Sequence, residues 1–249
     1  AGILLIYGIQ ILWLPINGVI TLPPSIGQLV TVLIVLVTIN AVNFIDGLDG
    51  LAAGIVAIAG AAFFTFAYLL AVVWGFSRAG APSLMTAVLI GICLGFLPHN
   101  SHPARIFMGD SGSMFLGLLL ASAAITLTGQ VDPNAISAVE AGPTLLPLLL
   151  PFAVLAIPLA DLVLAISRRL RAGRSPFAPD KDHLHHRLLS AGNSHVRTAV
   201  IMYLWTATLA FPITISAFAP MWVALLTAAV LATITIVATR TGKKDSVYV

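Results

Sequence analysis

The sequence predicts an all-α protein, a polytopic bundle of transmembrane helices. Three observations carry this. Of 249 residues, 59% are hydrophobic and only 8% are charged, against about 25% charged in soluble domains. The mean hydropathy is +1.04. The apolar residues also come in continuous runs, as spanning helices of roughly 20 residues require, and not in the alternation of a membrane barrel. Nine acids and twelve Lys and Arg residues cannot cover a water-soluble surface of this size. A soluble globular enzyme, a disordered chain and a basic nucleic-acid binder are excluded, so nucleic acid is not an expected partner. The net charge of +3 rests on too few groups to indicate an anionic partner. The single cysteine, Cys93, excludes an intramolecular disulfide and a CxxC metal site. It reads as a small apolar residue of a span.

Eight runs qualify as spans: 1–16, 26–45, 51–73, 84–98, 112–129, 143–166, 198–217 and 220–239. The chain opens at Ala1, already inside an apolar run, with no basic segment or cleavage site before it. It therefore does not read as a signal peptide. The expectation is one integral membrane domain, 1–249, that is a fragment lacking N-terminal spans. Orientation follows from Lys and Arg, which collect on the cytoplasmic side. The 167–197 loop carries Arg168, Arg169, Arg171, Arg174, Lys181, Arg187 and Arg197, and the tail carries Arg240, Lys243 and Lys244. Counting back span by span makes the segments near 46–50 and 99–111 cytoplasmic as well.

Three polar segments thus share one face: NAVNFIDGLDG (40–50), PHNSHPARIFMGDSGS (98–113) and RRLRAGRSPFAPDKDHLHHRLLSAG (168–192). An ion transporter places ionisable groups near the bilayer midplane. Here they crowd the cytoplasmic boundary, which favours a surface reaction between one substrate from water and one from lipid. In the first segment Asn40, Asn43, Asp46 and Asp49 recur every three residues and form a stripe of acceptors at a helix end. Capping of two helix ends is the plainer alternative. In the second, Asp110 precedes Ser-Gly-Ser at the start of a span. It reads either as an N-cap or as a carboxylate beside an anion-favouring helix N-terminus, suited to Mg²⁺ with phosphate oxygens. Asn100, His102, Arg105 and Phe107 lie close by in sequence. In the third, His183, His185, His186 and Arg187 fit metal ligation, neutralisation of phosphate charge or a basic surface helix on anionic lipid. Asp161 reads as a functional carboxylate or as a partner of Arg168 or Arg169. No P-loop, GxGxxG, GxSxG or HExxH pattern occurs, which removes support from ATPase, dehydrogenase and hydrolase readings.

The motifs NAVNFIDGLDGLAAG, ARIFMGDSGSMFLG and DHLHHRLL resemble those of the polyprenyl-phosphate N-acetylhexosamine-phosphate transferases, glycosyltransferase family 4. The HLHH form resembles the undecaprenyl- or decaprenyl-phosphate N-acetylglucosaminyl-phosphate branch, in an actinobacterial wording. The resemblance implies a multi-pass enzyme of the bacterial inner (plasma) membrane with a cytoplasmic active site. It would transfer N-acetylglucosamine phosphate from UDP-N-acetylglucosamine to polyprenyl phosphate. UMP is released and a lipid-linked diphosphate sugar for cell-wall or surface polysaccharide synthesis is formed.

The implied cofactor is Mg²⁺, with Mn²⁺ as an alternative, and the implied metal ligand is Asp110. Asp46, His183, His185, His186 and Arg187 join Asp110 as implied catalytic residues. Asn40, Asn43, Asp49, Asn100 and Phe107 are implied nucleotide-binding residues, with Asp49 bonding uracil and Phe107 stacking on it. The partners implied are the UDP-sugar, the polyprenyl phosphate and membrane lipid, and a homodimer is left open. Direct attack and a covalent aspartyl intermediate both remain open. The alternatives are a phospho-N-acetylmuramoyl-pentapeptide transferase and a transporter or flippase. The family's upstream aspartate pair is absent, since the first acid is Asp46. The chain by itself is therefore expected to be inactive.

Overall fold

The computed structural model describes residues 1–14, 20–73, 75–76, 79–130, 153, 156–173, 175 and 184–241. The described elements are α1 (Gly2–Ile6), a hairpin of β1 (Trp13–Leu14) and β2 (Ile20–Thr21), α2 (Pro24–Ile45), α3 (Leu51–Val72), α4 (Gly80–Asn100), α5 (Gly109–Gln130), α6 (Ala156–Arg171), α7 (Leu184–Ser190), α8 (His195–Ser216) and α9 (Met221–Thr241). Six of these, α2, α3, α4, α5, α8 and α9, are long and apolar enough to cross a membrane. A bilayer core offers no water to bond exposed backbone, so the chain satisfies its N–H and C=O groups within helices there.

The predicted spans over 26–45, 51–73, 84–98, 112–129, 198–217 and 220–239 correspond to these six helices. The span expected over 1–16 is not one. Gly8, Gln10 and Pro15 interrupt that run. The chain makes the five-residue α1 and then a hairpin with Trp13 opposite Thr21. Of its apolar residues Ile11 and Trp13 are buried, while Ile3, Ile6, Tyr7 and Leu12 are exposed, and the Ile11 N–H donates to Thr31 Oγ1 at 2.9 Å. The span expected over 143–166 falls largely outside the described residues, which show it only as Ala153 and α6. Six of the eight expected spans are thus present among the described residues.

Helix α3 packs on α4 and α8, α2 packs on α5 and α6, and α8 packs on α9. Phe63, Phe66, Leu89, Cys93, Leu116, Leu120 and Ala210 join α3, α4, α5 and α8 in one buried cluster. Cys93 is accordingly a core residue. Helix α9 exposes Trp222, Leu225, Leu226 and Val237, as a lipid-facing helix does. Between membrane helices there is little hydrophobic driving force, so close packing through small residues decides the contact. At Gly117 of α5 an added Cβ would stand 2.8 Å from Ile39 Cα of α2, so the two backbones touch. That contact sets the α2 and α5 ends beside each other. Gly117→Ala should therefore lower stability by about 1–3 kcal/mol, the usual cost of overpacking. Gly91→Ala, where nothing lies within 4 Å, should be neutral. Thermal unfolding of the detergent-solubilised protein compares the two.

Candidate active site

The site forms where α2 ends and α5 begins. Helix α2 stops at Ile45 with Asp46 as its C-cap, and Gly47–Gly50 turn the chain into α3. Gly50 takes φ +75°, a conformation that costs glycine little. Both its backbone groups are fixed from outside the turn: Gly50 N–H donates to Asn100 Oδ1 at 3.0 Å, and the Tyr203 hydroxyl donates to the Gly50 carbonyl. Asn100, at the end of α4, is 4% exposed. Its Nδ2 donates to the Ile106 carbonyl at 2.9 Å. One buried amide thus ties the 46–50 turn to the 101–108 loop. This is a brace between two loops, made by a residue that also lines the cleft.

A cleft of about 260 Å³ opens between these loops, lined by Asp46, Gly47, Asp49, Asn100, Phe107 and Asp110 among others. Asp110 sits in the first turn of α5, where the helix dipole favours negative charge. Asn43 Nδ2 donates to Asp110 Oδ1 at 3.1 Å and to Ser113 Oγ at 3.0 Å, linking α2 to α5 across the base of the cleft. Burial, and then the charge of Asp110, push the Asp46 carboxyl up to about 6. Neither carboxylate has an ion-pair partner among the described residues. Two facing carboxylates with a carboxamide beside them form an all-oxygen donor set, which fits a hard divalent cation such as Mg²⁺. No group of three or more His, Cys, Asp or Glu is gathered for a metal among the described residues, so the protein would supply only part of a coordination shell.

Asp49 stands on the other wall. Its Oδ2 accepts from His102 Nδ1 at 2.9 Å and from Ala104 N–H at 3.1 Å. The His102 bond, foremost, holds this carboxyl below its usual range. Phe107 is 78% exposed yet lines the cleft. A large aromatic face left open beside hydrogen-bonding groups suits stacking on a planar base.

The third polar segment reaches the same end of the bundle through α7. His185 is 1% exposed and packs on the turn, where a Cβ on Gly47 would lie 2.6 Å from its Nε2. A side chain at position 47 would displace the His185 ring. His186 lies against His185 with ring centroids 4.3 Å apart, and it is exposed together with Arg187. Asp161, 0% exposed on α6, anchors the segment: its Oδ1 accepts from Leu184 N–H at 2.8 Å. The carboxylate noticed in the sequence therefore holds the start of α7. His183 lies outside the described residues. Asn40 is not brought into the cleft. It is exposed, and its Nδ2 donates to Leu36 O of its own helix at 2.7 Å.

Sequence reasoning gave no role to Ser113, His195 or Tyr203, and noted His102 only as a neighbour. Tyr203 is in mid-sequence of a predicted span, and its ring lies against Gly54, which leaves no room for a Cβ there. Nothing at position 203 itself signals a partner at position 50.

Comparison with known proteins bears on the same loops. Glycosyl transferase family 4 matches residues 1–128, which contain both cleft loops. The chain belongs to glycosyl transferase family 4. Among family members, the decaprenyl-phosphate N-acetylglucosaminephosphotransferase of Mycobacterium tuberculosis (strain ATCC 25618 / H37Rv) is 56% identical over 130 residues, covering 52% of this chain and 32% of the relative. The enzyme of the same name from Mycolicibacterium smegmatis is 54% identical over 130 residues, with coverage of 52% and 32%. The undecaprenyl-phosphate alpha-N-acetylglucosaminyl 1-phosphate transferase of Salmonella typhi is 36% identical over 124 residues, covering 49% and 31%. The match thus spans about a third of the length of these curated relatives.

The raised Asp46 predicts a pH-dependent stability. A native pKa above the unfolded value means that stability is fully present below the unfolded pKa of 3.8 and is lost as pH rises through about 6. At pH 7.5, Asp46→Asn should raise the thermal midpoint by about 2–4 °C, the size expected for about 1 kcal/mol in a chain of this length. The gain should shrink as pH falls through 6, because the native carboxyl then takes up its own proton. Thermal scans across pH read this directly.

Proposed function

We propose that the protein transfers N-acetylglucosamine phosphate from UDP-N-acetylglucosamine to a polyprenyl phosphate, releasing UMP and leaving a lipid-linked diphosphate sugar. The observation that carries this is the meeting of Asp46, Asp49, Phe107 and Asp110 around one cleft at the end of an apolar helical bundle. The names of the three relatives given above support it, since those are polyprenyl-phosphate N-acetylglucosamine-phosphate transferases. The product serves cell-wall or surface polysaccharide synthesis. The Arg- and Lys-rich loop and tail favour a cytoplasmic placement of the cleft in the bacterial inner membrane.

Phe107 stacks on uracil and Asp49 accepts its N–H. A Mg²⁺ ion, or Mn²⁺ in its place, would be held by Asp110 with Asp46 facing it, and when bound supplies neutralising charge to the diphosphate. An oxygen of the lipid phosphate forms a bond to the sugar-linked phosphorus, the bond from that phosphorus to the UMP oxygen breaks, and the electron pair leaves with UMP. Such transfer depends on positioning and charge stabilisation. The exposed Arg187 offers positive charge to the migrating phosphoryl group, with His186 and His185 as neighbouring hydrogen-bonding groups on α7. Asn43 orients Asp110 by donating to it. The lipid acceptor has an apolar approach. A groove of about 200 Å³ between α4 and α5, lined by Ile92, Cys93, Phe96 and Phe115, meets the cleft at Phe107 and Met108.

A transporter reading draws no support from Asp161, whose carboxylate is committed to α7. The decisive assay follows UMP release from UDP-N-acetylglucosamine and a polyprenyl phosphate by the complete protein carrying this chain. Asp110→Asn should abolish turnover with the yield of folded protein near wild type. Retained turnover would exclude Asp110 as an essential group.

A further inference from the structure

Two histidines outside the HLHH segment meet at the nucleotide side of the cleft. His102 belongs to the 101–108 loop and His195 is the first residue of α8, 93 positions away. Their rings meet edge to face with centroids 4.5 Å apart, and their Nδ1 atoms are 3.3 Å apart. His102 Nδ1 is also 2.9 Å from Asp49 Oδ2. A histidine Nδ1 carries at most one proton. The carboxylate contact is the shorter and is charge-assisted, so the proton goes to Asp49. His195 therefore braces the ring by contact rather than by sharing that proton. Ala104 N–H takes the remaining approach to Oδ2. Among the described residues Oδ1 of Asp49 receives no hydrogen bond, and it is the acceptor left for a ligand.

The brace is itself anchored. Ser194 caps α8, its hydroxyl accepting from Arg197 N–H at 3.3 Å. Only the turn 191–194 separates His195 from α7, which carries His185 and His186.

We propose that His102, braced by His195, is a positioning residue for Asp49: it fixes the plane of the carboxylate so that Oδ1 presents to the N–H edge of a uracil base. This rests on the nucleotide-binding reading of the cleft and assigns two residues to it. The lowered carboxyl pKa of Asp49 agrees with the pair keeping Asp49 ionised as a pure acceptor. A positioning role of this kind acts on nucleotide affinity and not on the phosphoryl step.

The test measures UDP binding by calorimetry on the complete protein in nanodiscs, together with kcat and KM for the UDP-sugar. His102→Ala should weaken UDP binding and raise KM by about tenfold, with kcat within about twofold, the pattern of lost uniform binding. His102→Asn, which keeps a donor near the Nδ1 position, should recover most of the affinity. In an Asp49→Asn background, His102→Ala should add nothing, because coupled residues are non-additive. His195→Ala should show a smaller loss of the same kind, about threefold by the same reasoning. Wild type that binds UDP, with His102→Ala indistinguishable from it, would overturn the positioning role alone. So would a fall in kcat at constant KM, or an undiminished effect of His102→Ala without Asp49. Wild type that fails to bind UDP would overturn both this role and the nucleotide reading beneath it.

Discussion

The amide of Asn100 is bonded on both sides, accepting from Gly50 N–H and donating to the Ile106 carbonyl, and the two loops that make the cleft are held in register through it. The reason such a brace is needed lies in the bilayer. Backbone groups in hydrocarbon must be satisfied inside helices, so irregular chain is confined to helix ends, where it has few neighbours to hold it. A buried carboxamide with partners at both ends meets that need, because leaving either group unpaired in a dry site costs roughly 1–3 kcal/mol. Tyr203 reinforces the same turn by donating to the Gly50 carbonyl. Its ring fits because position 54 is glycine.

Around that brace the acids are sorted by their surroundings. Asp46 and Asp110 face each other with no cation among the described side chains, and the burial of Asp46 raises its pKa. Asp49 is given a histidine and a backbone N–H, and its pKa is lowered. Carboxylates separated by only a short turn are thus prepared for different work. One pair has unmet demand for positive charge, and the other is a settled acceptor. The sorting suits a ligand with a diphosphate at one end and a base at the other.

Much of this was legible in the sequence. Six spans could be read from hydropathy because the constraint of the bilayer acts on composition itself. The first apolar run misled because hydropathy reports dryness and not geometry: Ile11 before the hairpin and Trp13 within it are as buried as they would be in a helix. The cleft acids were legible because they lie within two short motifs at helix ends. Asn100 was legible as a polar residue of the site, but its role as a brace depends on partners 50 and 6 residues away. His195 and Tyr203 were not legible. Their partners lie 93 and 153 residues off, and no local pattern encodes such pairings. Gly47 looked like a turn residue, and the ring of His185 packed against it occupies the space a side chain there would take.

The central claim is that the 46–50 turn and the 101–110 loop together cradle a uridine nucleotide. Photolabelling of the complete protein with a 5-azido-uridine diphosphate, followed by peptide mapping, tests it most directly. The account predicts light-dependent label on the peptide containing Phe107, suppressed by excess UDP. Label confined to residues at the opposite end of the bundle, such as Gly75 and Phe76 after α3, or label that excess UDP leaves unchanged, would contradict it.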